Sequence, residues 1–273
     1  MCHTAGLRDS GHYNLALQGH PLSLEELFTG RNAAYQFVED SPAGAKMAYS
    51  NLGGGMLGTL IELATGQTVD QYMQQHVFAP LGVTAAYQPA LVDSGRIIAC
   101  QYAMPEKRLT QDLRKSYTVL ETAQPLYNYT YTAGKLIISA PDLARVLMAL
   151  CDGGIVDDAR ILKASTVSEM LTVQRERGSV GGDSGMGLCV FIRENVQVEG
   201  RTLYGHGGKA HGMLCAAYFD PTDRTGVVML TNGCNNSKVY QGVGMLGRQV
   251  LTLCYDELIG ADPVVESPYM VKE

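Results

Sequence analysis

Two short segments carry side chains whose types and spacing could do chemistry. The first is Tyr49-Ser50-Asn51, just ahead of the run Gly53-Gly54-Gly55, and the second is His206-Gly-Gly-Lys-Ala-His211. They offer a phenol, a carboxamide, two imidazoles and an ammonium group. Acyl transfer requires a hydroxyl nucleophile, a base that takes its proton and backbone donors for the oxyanion. Acyl transfer and metal binding are therefore the two chemistries to weigh.

Metal or cofactor chemistry has little support in the sequence. His206 and His211 are five residues apart, but a zinc site needs three or four convergent ligands, and no third partner stands at a recognisable spacing. The seven cysteines are an odd number without a Cys-x-x-Cys pair, which argues against a zinc cluster or a disulfide framework and favours reduced thiols. No Gly-x-x-x-x-Gly-Lys-Ser/Thr phosphate loop occurs. We expect no metal and no cofactor.

The first segment precedes a predicted pair of helices. From Met56 onward, apolar residues recur at the three- and four-residue spacing of a helix. A second helix is predicted over residues 68–78, and Pro80 ends it because proline lacks the amide donor. Asn51 is thus expected where the first helix begins.

Residues 139–150 carry the clearest helix signal. Ser139 provides a capping hydroxyl, Pro141 stands in the first turn, and Asp142 complements the helix dipole. The helix is predicted to end at Asp152-Gly-Gly154, because glycine tolerates the left-handed conformation that closes a helix.

After about residue 185 the pattern changes to short strands. They are predicted over residues 187–193, 201–205, 213–219 and 226–231. The turn residues Asp220, Pro221 and Gly226 predict a hairpin between the last two strands. A final helix over residues 239–258 is expected to return across the antiparallel sheet.

These elements predict an α+β fold, with an antiparallel sheet flanked by helices plus a helical subregion. Residues 85–132 are expected to form an irregular insertion with short strands. We predict a single domain over residues 1–273, with the helical and irregular subregion at about 1–185 and the sheet and last helix at about 186–260.

Composition argues against several classes of partner. The formal net charge is −6, from 21 basic and 27 acidic residues, and no run of Lys or Arg offers the footprint of a nucleic-acid or anionic-membrane binder. No apolar stretch approaches the roughly 20 residues that cross a bilayer. The first residues lack an export signal. For the chain as given we expect no nucleic acid, no membrane and a cytoplasmic location.

Three segments in order resemble the serine β-lactamase and penicillin-binding-protein superfamily, in particular its class C lactamase and family VIII esterase branch. Tyr49-Ser50-Asn51 resembles the Tyr-x-Asn motif that leads into a helix. The segment from Ala133 to Ala144 is similar to the family's Ser-x-x-Asp-Leu-Ala helix entry. Tyr204-Gly-His-Gly-Gly-Lys209 resembles the strand bearing its Lys/His-x-Gly motif. At the start, His3-Thr-Ala-Gly-Leu7 is similar to a His-Thr-Ser-Gly-Leu segment that follows the family's nucleophile.

The resemblance implies roles for six residues. Tyr49 would shuttle protons as a phenol or phenolate, with its pKa lowered by a neighbouring positive charge. Asn51 would hold the nucleophile's lysine and a substrate amide or carbonyl. His206 would orient a substrate carboxylate or carbonyl, and Gly207-Gly208 would let the acyl group approach closely. The backbone amide of Lys209 would be one of two oxyanion donors.

The family's Ser-x-x-Lys nucleophile motif does not occur in this sequence. None of the thirteen serines has a lysine three residues later, and neither does any cysteine. Thr132 is the one aliphatic hydroxyl residue with that spacing, to Lys135, and it falls at the family's structural glycine segment, which favours a chance match. The resemblance implies that the motif lies upstream of His3, so we expect a chain truncated at its N-terminus.

Three interpretations remain from the sequence. The first is a serine hydrolase homologue for esters, D-amino-acid peptides or β-lactams, inactive as this chain alone and completed by another polypeptide. The second is a non-catalytic binding pseudoenzyme, for which exposed strand edges predict a homo-oligomer or a complementing chain. The third is a gene with a wrong start codon or a disruption, which the DNA upstream of Met1 would reveal. A small acyl compound is the expected ligand in the first two.

Overall fold

The computed structural model describes residues 1–92, 95–103, 108–111, 127–175, 184–233, 239–240 and 243–259. The α-helices are Gly11–Leu17 (α1), Leu24–Phe28 (α2), Gly30–Gln36 (α3), Asn51–Thr65 (α4), Val69–Met73 (α5), Ala140–Cys151 (α6), Ala164–Leu171 (α7) and Met245–Cys254 (α8). Single π-helical turns, Gln74–Phe78 and Tyr255–Ile259, continue α5 and α8, and Pro89–Leu91 is a 3-10 turn. The strands are Ala85–Ala86 (β1), Gln101–Ala103 (β2), Arg108–Gln111 (β3), Ile137–Ile138 (β4), Ile155–Val156 (β5), Ala159–Arg160 (β6), Ser184–Met186 (β7), Phe191–Glu194 (β8), Thr202–Ala210 (β9), Met213–Asp220 (β10), Thr225–Thr231 (β11), Val239–Tyr240 (β12) and Val243–Gly244 (β13).

The described residues divide into two compact units. Unit 1 holds residues 1–78, 85–92 and 127–137, and unit 2 holds the remaining described residues, including residues 138–175 and 184–233. The prediction of a single domain over residues 1–273 stays a prediction. No helix in the described ranges is both long enough and apolar enough to span a bilayer.

Unit 1 is built around α4. Ser50 caps this helix by accepting a hydrogen bond from the Gly53 amide at 3.0 Å, and Gly66 closes it in the left-handed region at φ 70°. The apolar core beneath the helix is lined by Tyr13, Ala16, Leu27, Leu52 and Tyr129, which are all buried. The predicted helix start at Asn51 is confirmed, and so is a second helix over residues 68–78.

Unit 2 contains an antiparallel sheet in the order β11-β10-β9-β8-β7. Side chains of successive strand residues alternate between its two faces. On one face Tyr204 and Phe219 pack with α6 and α7, whereas on the other Leu203 and Tyr218 pack with Leu251 of α8. The expected α+β fold, an antiparallel sheet flanked by helices, is thus confirmed.

Local sequence signals predicted several elements of unit 2 correctly. The Ser139 hydroxyl caps α6 by accepting from the Asp142 amide at 3.2 Å. The hairpin joins β10 to β11, with Asp220 opposite Thr225. A second hairpin joins β9 to β10 through His211 and Gly212, both at positive φ. β9 is longer than the predicted 201–205, so His206 lies within a strand.

Besides the end of β9, two element boundaries predicted from the sequence are wrong. The last helix begins at Met245 rather than 239, because β12 and β13 pair as a short hairpin first. The strand predicted over residues 187–193 begins only at Phe191, because the Gly187 amide bonds the Val190 carbonyl at 2.8 Å and Cys189 has φ 61°. That tight turn interrupts the extended backbone.

Residues 85–132 match the expected irregular segment where the structure describes them. β1 and the paired strands β2 and β3 are the short strands found there. Much of the remaining insertion, residues 93–94, 104–107 and 112–126, lies outside the described residues.

Candidate functional site

The first candidate residues lie at the N-terminus of α4. Ser50 is the N-cap of α4 and is 2% exposed, so its hydroxyl is buried and caps the helix. Asn51 is the first helical residue, and Tyr49 stands immediately before the cap with 48% of its surface exposed. Helix capping therefore places a phenol and a carboxamide on either side of a buried serine.

Asp9 holds this segment in place, and the sequence analysis did not identify it. Its carboxylate accepts hydrogen bonds from the Ser50 hydroxyl at 3.1 Å, from the Asn51 side-chain nitrogen at 2.6 Å and from the Leu52 amide at 2.9 Å. A carboxylate at a helix N-terminus is also stabilised by the helix dipole. The signal in the sequence was its position two residues after the His3–Leu7 segment that resembles the family.

His3 supports the segment from its other side. The Ser50 amide donates to His3 Nδ1 at 3.2 Å, which places the proton of a neutral His3 ring on Nε2. The His3 and Tyr49 rings lie 4.3 Å apart, and the Ala48 amide donates to the His3 carbonyl at 2.8 Å. The His3–Leu7 segment thus packs directly against the Tyr-x-Asn segment.

Tyr49 is held in its neutral form. Burial raises the pKa of its hydroxyl first, and the negative charge of Asp9 raises that pKa further. Both causes oppose ionisation, because burial and a neighbouring anion each disfavour a phenolate. Tyr49 is therefore harder to ionise than an ordinary tyrosine, and a basic role would require a positive charge beside it.

We expect Asp9→Asn to lower the pKa of Tyr49, because the substitution removes the neighbouring negative charge. The measurement is a phenolate absorbance titration of Asp9→Asn and of the parent, each corrected by subtracting the curve of its own Tyr49→Phe derivative. Asp40→Asn is the matched control, since Asp40 is an exposed carboxylate of the same unit at a positive φ that Asn tolerates. Equal Tyr49 titration curves for parent and Asp9→Asn would contradict the expectation.

Thr132 and Lys135 do not form a nucleophile pair in this structure. The Thr132 hydroxyl donates to the Gly54 carbonyl at 2.8 Å and accepts from the Gly58 amide at 3.2 Å. Lys135 lies over the Tyr131 ring, with its nitrogen 4.8 Å from the ring centroid, and burial lowers the pKa of its ammonium group. Thr132 thus joins its own segment to α4.

The second candidate group lies on β9 in unit 2. His206, Gly207, Gly208 and Lys209 pair with β10 from Ala217 to Leu214. The neighbouring strand β8 pairs only with the earlier part of β9, as far as Gly205. Beyond that residue, no strand in the described part of unit 2 pairs with β9 on the β8 side. An edge of this kind can accept an extended ligand.

The glycines of β9 differ in whether the surrounding atoms leave room for a side chain. A Cβ at Gly205 would lie 2.0 Å from the Ala217 carbonyl oxygen, so packing within the sheet excludes any other residue there. At Gly207 and Gly208 the nearest atoms to a Cβ would be at 3.5 and 3.7 Å, which are ordinary contacts. Packing against the described residues therefore does not require glycine at positions 207 and 208. The close approach of a ligand to this part of the strand would require it.

His206 is neutral at physiological pH. Burial lowers the pKa of its imidazole first, the hydrogen bond to the Gly207 carbonyl raises it, and the positive charge of Arg193 lowers it. Its ring lies 4.8 Å from that of Phe191, and Nδ1 donates to the Gly207 carbonyl. The remaining nitrogen, Nε2, then carries the lone pair and is an acceptor. His206 can accept a hydrogen bond or proton, but it does not present a permanent cation.

The structure thus places the predicted residues in two groups. Tyr49 and Asn51 lie together in unit 1, while His206, Gly207, Gly208 and Lys209 lie along one strand of unit 2. Among the described side chains, no cluster of three His, Cys, Asp or Glu residues has the arrangement of a metal site.

Comparisons with known proteins point to one family. The family model described as beta-lactamase matches residues 1–250. A protein of Escherichia coli O157:H7, provisionally named a D-alanyl-D-alanine carboxypeptidase, is 24% identical over 200 residues, which are 69% of this chain and 45% of that protein. The chain therefore spans about half the length of this curated relative.

Solved structures of related fold agree with that match. A D-stereospecific amidohydrolase from Streptomyces sp. is 20% identical with a TM-score of 0.59, and the match covers 95% of this chain and 71% of that one. A class C beta-lactamase mutant is 15% identical with a TM-score of 0.57, covering 92% of this chain and 66% of that one. At such identities the likeness establishes the fold.

Proposed function

Because the chain belongs to the β-lactamase family of serine hydrolases, we propose that it contributes to hydrolysis of small D-configured amides or peptides, with esters and β-lactams as related substrates. We propose further that the nucleophilic serine and its lysine come from outside these 273 residues. The observation that carries the proposal is the fixed Asn51 carboxamide at the start of α4, held by Asp9 at 2.6 Å. The names of the carboxypeptidase and amidohydrolase relatives support a D-configured substrate.

The proposed reaction forms and then breaks an acyl-enzyme. The serine oxygen attacks the substrate carbonyl while its proton passes to a base, for which the lysine of its motif is proposed; an ester bond then forms as the C–N bond breaks, and the leaving amine takes up a proton. Water then attacks the ester and releases the acid and the serine. Within this chain, Asn51 would bind the substrate amide or the lysine, and the Lys209 amide would donate to the oxyanion.

Two further side chains contribute to this proposal. The Tyr49 hydroxyl is protonated at neutral pH, so it is suited to donate the proton that the leaving amine needs. The neutral His206 would orient the substrate by accepting a hydrogen bond beside Gly207 and Gly208. The lysine from outside these residues would place a positive charge beside Tyr49. That charge would lower the pKa of the phenol, so that Tyr49 could give up and regain its proton during turnover.

The chain by itself is proposed to be inactive in acyl transfer. Its sequence has no Ser-x-x-Lys, and Ser50, the serine nearest the candidate residues, is buried as the cap of α4. Burial and the hydrogen bonds to Asp9 and Gly53 commit the Ser50 hydroxyl to structure. Neither Thr132 nor Ser50 is therefore placed as a nucleophile.

We expect no covalent adduct when the folded 273-residue chain is incubated with a fluorophosphonate or with a penicillin. The measurement is intact mass, with a β-lactamase-family enzyme that carries Ser-x-x-Lys as the positive control for each reagent. A single adduct on the folded chain would contradict the proposed inactivity. Peptide mapping would then identify the nucleophile, and its replacement by alanine should abolish the adduct.

A binding role without catalysis is the second candidate, and the absence of Ser-x-x-Lys from the sequence supports it. A neutral phenol, a fixed carboxamide and an uncharged imidazole are donors and acceptors that bind an amide without activating it. Calorimetry with a D-alanyl-D-alanine peptide and its L,L isomer tests whether the chain binds such a ligand. Because the chain by itself is proposed to be inactive, both roles predict binding of the D,D peptide without its cleavage, whereas cleavage by this chain alone excludes the pseudoenzyme.

A further inference from the structure

Asp9 joins the N-terminal segment of unit 1 to the start of α4, so its own position matters for the candidate site. Its carboxylate accepts hydrogen bonds from the Asn51 carboxamide at 2.6 Å and from the Leu52 amide at 2.9 Å. A displacement of about 1 Å would take such pairs out of hydrogen-bond range. The contacts that fix the main chain at Asp9 therefore also fix the Asn51 carboxamide.

Gln36, the last residue of α3, holds the chain on both sides of Asp9. Its main-chain carbonyl accepts from the Arg8 amide at 2.9 Å. Its side-chain oxygen accepts from the Ser10 hydroxyl at 2.7 Å. Asp9 is thus the residue between two neighbours that are both bonded to Gln36.

The Gln36 side chain is itself held in one orientation. It is fully buried, and its Nε2 donates to the Asn32 carbonyl at 3.0 Å and to His12 Nδ1 at 3.1 Å. A carbonyl can only accept, so the contact with Asn32 identifies the nitrogen of the amide group and leaves Oε1 facing Ser10. Any rotation of this amide would leave a buried polar group unsatisfied, which is costly.

Ser10 transmits this restraint to α1. Its buried hydroxyl donates to Gln36 and, as the N-cap of α1, accepts from the Tyr13 amide at 3.4 Å. A hydroxyl has one proton to donate and lone pairs to accept, so both bonds form at the same time. One side chain next to Asp9 therefore connects α3 with α1.

We propose that Gln36 and Ser10 are positioning residues that act through Asp9 on the start of α4. They fix the main chain at Asp9, and its carboxylate in turn orients the Asn51 carboxamide and lies close to Tyr49. The importance of this arrangement for substrate rests on the proposed function, which assigns Asn51 to the site. The contacts are tested without any substrate, so failure of the positioning and failure of the proposed function give different results.

The test removes the Ser10 hydroxyl and measures the effect of the Asp9 carboxylate at Tyr49. In Ser10→Ala we expect the pKa of Tyr49 to shift downward, in the direction expected for Asp9→Asn, because a displaced carboxylate opposes the phenolate less. The measurement is the phenolate titration corrected with the Tyr49→Phe derivative of each variant. Ser23→Ala is the matched control, because Ser23 caps α2 of the same unit by accepting from the Glu26 amide at 3.2 Å. It should leave the Tyr49 titration unchanged.

A double variant separates positioning through Asp9 from a general loss of structure. If Ser10 acts through the Asp9 carboxylate, Ser10→Ala should not shift the Tyr49 titration further when Asp9→Asn is already present. The two effects are then non-additive, as expected for residues that act on the same contact. Additive shifts, an equal shift in the control variant, or a parental Tyr49 titration in Ser10→Ala would overturn the proposal.

A second measurement uses the parent chain and covers the case in which the Ser10 variant fails to fold. The Leu52 amide lies in the first turn of α4, where the helix offers no carbonyl, and it bonds Asp9. The Arg8 amide bonds Gln36. In native-state hydrogen exchange with added denaturant, we expect these two amides to open together as one unit, separately from the Glu26 amide. Leu52 exchange that is independent of Arg8 exchange would contradict the proposed positioning.

Discussion

Gly55→Ala should destabilise unit 1 by at least about 3 kcal/mol, at the upper end of the range for overpacked cores. A Cβ at Gly55 would lie 1.6 Å from the Tyr129 carbonyl oxygen and 2.5 Å from its carbon. Backbone atoms cannot rotate away as a side chain can, so α4 or the segment bearing Tyr129 must move. The Thr132 hydroxyl, which bonds α4 at the Gly54 carbonyl and the Gly58 amide, holds the two segments together at that point.

Gly54→Ala is the matched control on the same helix. A Cβ at Gly54 would meet its nearest atom, in Ala133, at 3.7 Å, which is an ordinary contact. Alanine is the better helix former, so this substitution should stabilise by about 0.5 to 1 kcal/mol. Denaturant unfolding followed by circular dichroism gives both values. Similar losses of stability in Gly55→Ala and Gly54→Ala would contradict the close approach of Gly55 to the Tyr129 carbonyl as the cause of the destabilisation.

The same substitution tests how the candidate residues are positioned. Because Asn51 is the first residue of α4, a shift of the helix would displace its carboxamide from Asp9. In Gly55→Ala we therefore expect weaker binding of any ligand that Asn51 contacts, even at temperatures where the variant is folded. Gly54→Ala should bind as the parent does.

Arg201→Met should lower the free energy of unfolding by about 3 to 5 kcal/mol, the range for removing one partner of a buried ion pair. The Arg201 side chain is 6% exposed, its Nη1 lies 3.3 Å from Asp220 Oδ2, and it also pairs with Asp223. Its guanidinium lies 4.6 Å above the ring of the buried Tyr255. Methionine fills similar volume but leaves the Asp220 carboxylate, 3% exposed, buried without a cation.

This loss should depend on pH. Burial already raises the pKa of Asp220, and Arg201 lowers it, so Arg201→Met raises it further. An acid whose pKa is raised by folding favours the folded state at low pH and loses that contribution as pH rises through the folded pKa. The Arg201→Met defect should therefore be larger at neutral pH than in mild acid. A defect that does not change with pH would contradict the uncompensated charge as its cause.

Arg224→Met provides the control for this second substitution. Arg224 makes two hydrogen bonds to Asp152, but its side chain is 70% exposed. Exposed ion pairs are screened by water, so we expect Arg224→Met to change the stability far less than Arg201→Met does. Thermal and denaturant unfolding of both variants should separate the buried pair from the exposed one. Equal losses would contradict the role assigned to burial.

Much of the fold follows from signals that span only a few residues. The Ser139 cap with Pro141 and Asp142 predicted α6, and the turn residues after Asp220 predicted the β10–β11 hairpin. The boundary at Met245 was missed because Val239–Tyr240 and Val243–Gly244 form a hairpin, and β-branched and aromatic residues favour strands over helix. Apolar spacing alone does not separate the two.

The sequence by itself determined the family, the capped start of α4 at Tyr49-Ser50-Asn51, the strand that carries His206 to Lys209, and the absence of Ser-x-x-Lys from these residues. Capping and alternation act between near neighbours, so the local order of residues suffices to predict them. Whether the six candidate residues act in one site stays a prediction.

Only the tertiary structure decided the surroundings of those residues. Asp9 reaches Asn51 across 42 positions of the chain, and no local pattern announces that contact. Burial and Asp9 raise the pKa of Tyr49, and burial with Arg193 lowers the pKa of His206. Protonation depends on which groups folding brings near and how much water it removes, and both are properties of packing between distant segments.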